Sequence, residues 1–443
     1  MPKVYGHHTR VKQYNGFDLA CIALKKLPLE LQRSTLAGTG NGLLYFIRFV
    51  FLLCISFPRF LLRLFSVWCA YGVLAIRFLA GSQFSAFPEL AQTTAPKLPR
   101  WLVLSFKCLY TLRTLGVPPR VLSPLYQRLH HQALRACHDA PDLSASPLQV
   151  EALSNKASEE DCRKALSKAF HELRPIILKG RATSVEATRK WSADFFVREY
   201  GDVRVAASKQ KFEYSETQPL RRMEVDEGFY VQNCESIFRK CPELEKDLEI
   251  PYLQTLAKGC PMVYTYTHLF VGKSGKGSPF HCAPVWNIFM QFEGRKKWTW
   301  VHPENYIFMY ANSNTAWSFT PMTSALDFAS SRDTRTFPLY KYCPRYEAIL
   351  EPGDIMLNPP WWWHTITNLD GPSTAVATRW LEQSFLSRAQ LFFATKLLFS
   401  FNVPALLFTS CVMNGAYVPP DDDEITLREQ VTRYNDFDRR WNF

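Results

Sequence analysis

The chain has 443 residues, of which 47% are hydrophobic and 14% aromatic, enough for one large domain with an appendage or for two modest domains around a sizeable core. Its net charge of +12 admits nucleic acid, an anionic membrane surface or acidic small molecules as partners. The 12 cysteines include no C-x-x-C pair, which argues against a zinc ribbon or a thioredoxin-like site, and the chain has no N-x-S/T sequon; neither fact points to a secreted disulfide framework. The cysteines read as reduced, buried side chains.

Residues 1–38 are polar and basic, with Lys3, Arg10, Lys12, Lys25, Lys26 and Arg33. After the break Gly38-Thr39-Gly40-Asn41-Gly42, residues 39–82 are almost wholly apolar, interrupted by Arg48, Arg59, Arg63 and Arg77. The longest charge-free run, Leu64 to Ile76, is 13 residues, short of the about 20 that a spanning helix needs. On a helical wheel Arg59, Arg63 and Arg77 fall roughly 20°, 60° and 20° from Arg48, so all four share one face. That pattern predicts a helix lying in a membrane interface, arginines among the headgroups and Phe, Leu and Trp below, with a kink at Pro58. A re-entrant hairpin and a helix buried against the following domain are the alternatives.

Residues 83–146 read as a helical connector containing the apolar stretch Trp101 to Val117. Residues 147–385 have the composition of a soluble domain, with a helix over Lys164–Leu173, a first strand over Pro175–Gly180 and then many short strands to about residue 383. Such a series predicts an all-β sandwich or barrel. The tail, 386–443, is an apolar helix, either covering the barrel or touching a membrane, followed by a solvated acidic run from Asp421 to Glu424. Much of the basic charge lies in the N-terminal third beside the apolar stretch. With no zinc finger or basic helix in sight, this favours a membrane surface and argues against nucleic acid. The expected localisation is membrane-associated, with the β domain in a reducing compartment.

Two segments carry chemistry. Ser278-Pro279-Phe280-His281-Cys282-Ala283 leads through Asn287 to Gly294-Arg295-Lys296, and Glu351-Pro352-Gly353-Asp354 opens a strand that leads to Trp361-Trp362-Trp363-His364. A histidine behind so bulky a wall is oriented, desolvated and neutral, which suits a metal-ligating imidazole. Two histidines 83 residues apart can meet across a barrel. Either one alone also reads as a satisfied structural residue, and Lys296, between Arg295 and Lys297, as an exposed turn lysine.

Taken in order, Tyr230-Val231-Gln232, the turn into His281, Asn287, the Gly294-x-Lys296 turn and the Gly-Asp strand ending in Trp-Trp-His resemble the JmjC/cupin-like oxygenases over roughly residues 170–383, in particular the asparaginyl-hydroxylase group. The resemblance implies a mainly β double-stranded β-helix with flanking helices, and Fe(II) and 2-oxoglutarate as cofactors. It makes His281 and His364 the metal ligands. It places Lys296 on the distal carboxylate of 2-oxoglutarate, lets Tyr230 hydrogen-bond the same group, and leaves Ser278 and Asn287 as lesser contacts. The implied activity is a hydroxylase-type oxygenase; with the apolar segment, its substrate is a small molecule or lipid-like group, or a membrane-protein side chain.

The family pattern is His-x-Asp, and here it reads His281-Cys282-Ala283. Ala283 has no donor atom, and Cys282, as the strand neighbour of His281, points to the opposite face. Three readings follow: an oxygenase whose metal sphere is completed by water or a displaced carboxylate, a 2-oxoglutarate halogenase with chloride in the vacancy, or a non-catalytic cupin-like binding protein. Tyr306, Phe308, Tyr310 and Trp317 either line an apolar entrance or pack in the core.

Overall fold

The computed structural model describes residues 95–382, apart from 115–118, 145, 209–216, 284, 314–321 and 325–336. The basic segment 1–38, the apolar segment 39–82, the tail 386–443 and Trp317 lie outside the described residues. Among the described residues no helix is long and apolar enough to cross a membrane.

Two helices open the described chain: α1, Arg100–Thr114, and α2, Pro119–Ala136. They run antiparallel, since Phe106 meets His130 (ring centroids 4.9 Å apart) while Tyr110 meets Tyr126 (6.4 Å). Their inner faces share one hydrophobic core with the β domain, Tyr110 against Tyr306 and His130 stacked on Tyr310. Tyr306, Phe308 and Tyr310 are therefore core residues beneath this hairpin. Helix α3, Glu159–His171, starts five residues before the expected Lys164, because Ser158 and Asp161 form a reciprocal capping box. Its Phe170 stacks on Trp286 of the β domain.

The strands are β1 (Leu148–Gln149), β2 (Glu151–Leu153), β3 (Ile176–Leu178), β4 (Arg204–Ser208), β5 (Thr217–Pro219), β6 (Tyr230–Cys234), β7 (Met262–Gly272), β8 (Gly277–Cys282), β9 (Trp286–Glu293), β10 (Lys296–Val301), β11 (Ala311–Ser313), β12 (Met322–Ser324), β13 (Tyr346–Leu350), β14 (Ile355–Asn358), β15 (Trp363–Asn368) and β16 (Ser373–Glu382). The strand expected over Pro175–Gly180 is thus β3, preceded by the two short strands β1 and β2. One sheet has the order β1-β13-β10-β15-β8-β12-β11, the other β2-β3-β14-β9-β16-β7-β6-β4-β5. From β7 to β10 and again from β13 to β16, each strand lies in the opposite sheet from the strand before it. This alternation winds the chain into the expected double-stranded β-helix.

The sheets face each other through Phe289 of β9, edge-on to Trp298 of β10 at 4.9 Å, and Trp300 Nε1 of β10 donates to Asn358 Oδ1 of β14 at 2.9 Å. None of the eight described cysteines is in a disulfide, and seven are buried. Cys282 is buried beside β12, paired with Met322.

A candidate metal and oxoacid pocket between the two sheets

Strand registry decides which side chains share the inner face of the first sheet. His281 on β8 is directly opposite His364 on β15, and His364 opposite Trp300 on β10. Moving along β15, Ile366 pairs with Trp298 and Asn368 with Lys296. Directly opposed residues point to one face and i, i+2 residues repeat it, so Lys296, Trp298, Trp300, His364, Ile366 and Asn368 all face inward with His281. Ser278 joins them through a bulge: three steps on β8, from His281 to Ser278, match two on β15, from His364 to Ile366. Without the bulge, Ser278 would face away. The two strands approach so closely here that a Cβ on Gly277 would lie 1.8 Å from the Ile366 carbonyl oxygen, so only glycine fits.

The two imidazoles meet. Their centroids are 4.2 Å apart with planes inclined at 56°. Two imidazoles in cis positions on one metal ion, with metal–nitrogen bonds of about 2.1 Å, have centroids roughly 4–5 Å apart. His281 Nδ1 lies 2.8 Å from the Pro279 carbonyl oxygen and His364 Nδ1 2.9 Å from that of Trp362. A carbonyl only accepts, so both Nδ1 atoms carry the proton. Burial pushes the His281 pKa down to about 4 and that of His364 well below its ordinary value, with Arg379 depressing both and His281 also depressing His364. Both rings are therefore neutral at pH 7 with the lone pair on Nε2, the form that ligates a metal.

The tryptophan run delivers His364 but does not stack on it. The ring lying 5.6 Å from His364, at 23°, belongs to Trp298. Trp362 instead donates Nε1 to the Leu173 carbonyl at 2.7 Å and anchors the turn. Trp361 holds a left-handed backbone, φ +68°, and its N–H donates to the Ala283 carbonyl at 2.8 Å. That conformation costs a bulky residue about 1–2 kcal/mol, and the bond joins the two turns that carry the histidines.

Lys296 is 1% exposed, so it is no turn lysine. Its Nζ donates to Asn368 Oδ1 at 2.5 Å, and among the described residues no carboxylate pairs with it. Burial drops its pKa to about 7. Asn368 is fixed by Nδ2 bonds to the carbonyls of Gly272 (3.2 Å) and Lys273 (3.0 Å). Opposite Gly272 sits Tyr230, whose ring packs against the glycine; a Cβ there would come within 2.3 Å of it. Burial raises the Tyr230 pKa far above the ordinary phenol value, so the hydroxyl stays protonated and can donate. Two residues along from Lys296, the buried Trp298 Nε1–H has no partner among the described residues. An ammonium with one neutral partner and an unsatisfied N–H on one strand face fit an anionic ligand, as a dicarboxylic oxoacid would be.

The second sheet supplies a group that sequence reading missed. Arg379 on β16 lies opposite Asn287 on β9 and Tyr266 on β7. Its Nη1 donates to Asn287 Oδ1, Nη2 to Asn233 Oδ1 at 3.2 Å, and Nε lies 3.4 Å from His268 Nδ1. Asn233 reaches this place from a register shift in β6, with φ +51°, a conformation asparagine tolerates. The only signal for Arg379 in the sequence was a charge in the alternating strand Ala375-x-Ala377-x-Arg379, where the two alanines clear space beside it. Asn287 is buried, and its carbonyl oxygen is engaged by Arg379.

The donor set fits an iron(II) ion at two protein positions and not at a third. Ala283 offers no side-chain donor, and among the described residues no group of three His, Cys, Asp or Glu side chains is placed to hold a metal.

A family model for the cupin-like domain matches residues 163–387, and the chain belongs to that family. It is 28% identical over 144 residues to Jumonji C domain-containing protein 5 of Drosophila melanogaster, covering 32% of this chain and 35% of that one. It is 28% identical over 216 residues to lysine-specific demethylase 8 of Xenopus tropicalis, covering 44% and 46%, and 29% identical over 152 residues to JmjC domain-containing protein D of Dictyostelium discoideum, covering 32% and 33%. The chain spans less than half the length of these relatives. JmjC cupin-like domains of the demethylase and hydroxylase type use Fe(II) and 2-oxoglutarate.

Proposed function

We propose that this protein is an Fe(II)/2-oxoglutarate-dependent oxygenase of the hydroxylase type, similar to the asparaginyl-hydroxylase group, acting on a hydrophobic or membrane-linked substrate. The observation that carries the reading is the pair of facing, neutral imidazoles with Nδ1 protons tied to backbone carbonyls. His281 and His364 would hold the metal. Lys296, positioned by Asn368, would pair with the distal carboxylate of 2-oxoglutarate, with the Tyr230 hydroxyl donating beside it and Ser278 and Asn287 lining the cavity. When bound, the cofactors supply oxidation: 2-oxoglutarate, O₂ and a C–H bond become succinate, CO₂ and a C–OH bond. The chain's own part would be to hold these groups among the buried side chains of Trp298, Trp300 and Phe289, where charge interactions are strong.

A second reading is favoured by Ala283 together with the field of Arg379 at both imidazoles: an exogenous anion completes the metal sphere. With chloride there, the balanced reaction consumes a C–H bond, chloride, a proton, 2-oxoglutarate and O₂, and gives C–Cl, succinate, CO₂ and water. The test is Fe(II)-dependent succinate formation from 2-oxoglutarate with and without chloride, followed by mass analysis of modified substrate. Chloride-independent succinate supports the hydroxylase, and chlorinated product supports the halogenase. Absence of both iron binding and succinate overturns both in favour of a non-catalytic binding protein.

A further inference from the structure

The α1–α2 hairpin has a surface that the pocket does not use. Its inner face is the aromatic seam of Phe106, Tyr110, Tyr126 and His130. Its outer face is apolar where a soluble protein would be polar. On α1, Trp101, Leu104, Cys108 and Leu112 follow one another at helical spacing and are all exposed, Trp101 by 55%. On α2, Val121 is 61% and Leu125 42% exposed, and the same stripe continues through Arg128 and Arg135. Five of the eight large exposed hydrophobic side chains among the described residues lie on these two helices. Scattered exposed apolar residues need no explanation, but a concentrated set does.

Charge says what kind of partner covers them. Between residues 31 and 138 the sequence holds 12 Lys and Arg and one acidic residue, Glu89, so this stretch carries +11 of the chain's +12 and the remainder is nearly neutral. From Lys97 to Arg135 there are seven basic residues and no acidic one, and Lys97, Arg100, Arg128 and Arg135 are exposed. The chain's own apolar stretch, 43–80, carries four arginines and no acid. Like charge opposes its docking on the hairpin, while both favour the same anionic surface. Apolar side chains with a tryptophan, rimmed by exposed basic groups, suit the headgroup region of a bilayer, where the rings and aliphatic chains enter the acyl boundary and the cations stay with phosphate.

We propose that the outer face of the α1–α2 hairpin docks on an anionic lipid bilayer, so that the β domain is seated on the membrane by its own helices and not only tethered to it by the segment 39–82. This deepens the membrane-linked part of the reading above and is independent of the metal pocket.

The test uses the full-length protein with vesicles of phosphatidylcholine alone or with about one-fifth phosphatidylserine, read by amide hydrogen exchange and co-sedimentation. Exchange over 100–114 and 119–136 is expected to slow on the anionic vesicles and to recover at high salt. The substitutions Trp101→Ser, Leu104→Ser and Leu125→Ser, at exposed positions and checked for an unchanged melting temperature, are expected to abolish that slowing and weaken co-sedimentation at least tenfold. Protection of 43–80 with no change over the hairpin overturns the docking surface and leaves segment-only attachment. Failure of the protein to bind either vesicle overturns both. A soluble protein that still binds iron would leave the pocket's reading intact.

Discussion

The two faces of the pocket are built from opposite chemistry. The first sheet presents two neutral imidazoles and one lysine whose amine is half deprotonated near pH 7. The second presents a guanidinium on Asn287, Asn233 and His268. A metal dication suits the first face and is repelled by the second, and the Ala283 vacancy removes the carboxylate that would have moderated the conflict. On the proposed reading, the contrast predicts that a metal held by the two imidazoles would depend on an anion brought from outside, either the oxoacid itself or a further ligand.

The largest effect that tests this comparison is loss of an imidazole. His281→Ala or His364→Ala is expected to lower metal affinity by more than about 100-fold, measured by metal content after dialysis, with folding retained. Next, Lys296→Met is expected to weaken 2-oxoglutarate binding by about 100-fold, from loss of a charge-assisted contact, measured calorimetrically. The same change stabilises the ligand-free protein. The folded pKa of Lys296, about 7, lies below the ordinary 10.5, so below pH 7 the folded state carries the full cost of a buried ammonium. Between pH 7 and 10.5 the unfolded state binds the extra proton, and the cost shrinks as pH rises. The melting temperature of Lys296→Met is therefore expected to exceed wild type by several degrees near pH 7, with the gap closing toward pH 10.

Restoring the carboxylate sharpens the comparison from the other side. Ala283→Asp is expected to raise Fe(II) affinity about tenfold and to remove any dependence on added anion, read by metal titration with and without chloride. Arg379→Gln keeps hydrogen-bonding capacity but removes the opposing charge, so metal affinity is expected to rise a few-fold, by an amount that salt reduces. The smallest effect lies outside the pocket. Burial holds the His130 pKa at about 4 against the ordinary 6.5. The unfolded chain takes up that proton between pH 6.5 and 4 and the folded chain does not, so stability falls as pH drops through this window. His130→Leu is expected to make the acid-side fall shallower by about one bound proton, measured by denaturation at a series of pH values.

The first face was legible in the sequence and the second was not, for a physical reason. His281, Lys296 and His364 sit next to turns whose Gly, Pro and Asp residues mark the chain, and the strand run to about residue 383 ends within a residue of β16. Arg379 and Asn233 acquire their places from registry between distant strands and from a register shift, which no local pattern reports. The same limit let the tryptophan run pass for the wall behind His364, when the stacking ring comes from Trp298, 66 residues earlier. The hairpin α1–α2 was legible as a helical connector with an apolar stretch, but not which of its faces is covered, because that depends on Tyr306 and Tyr310 arriving from the β domain.

The most direct measurement is a titration of the metal-free full-length protein with Fe(II) under anaerobic conditions in the presence of 2-oxoglutarate, repeated for His281→Ala and His364→Ala. One equivalent bound by the wild type and none by either variant is the expected result. Binding that persists in both variants, or no binding by the wild type, would contradict a metal centre built on this pair of imidazoles.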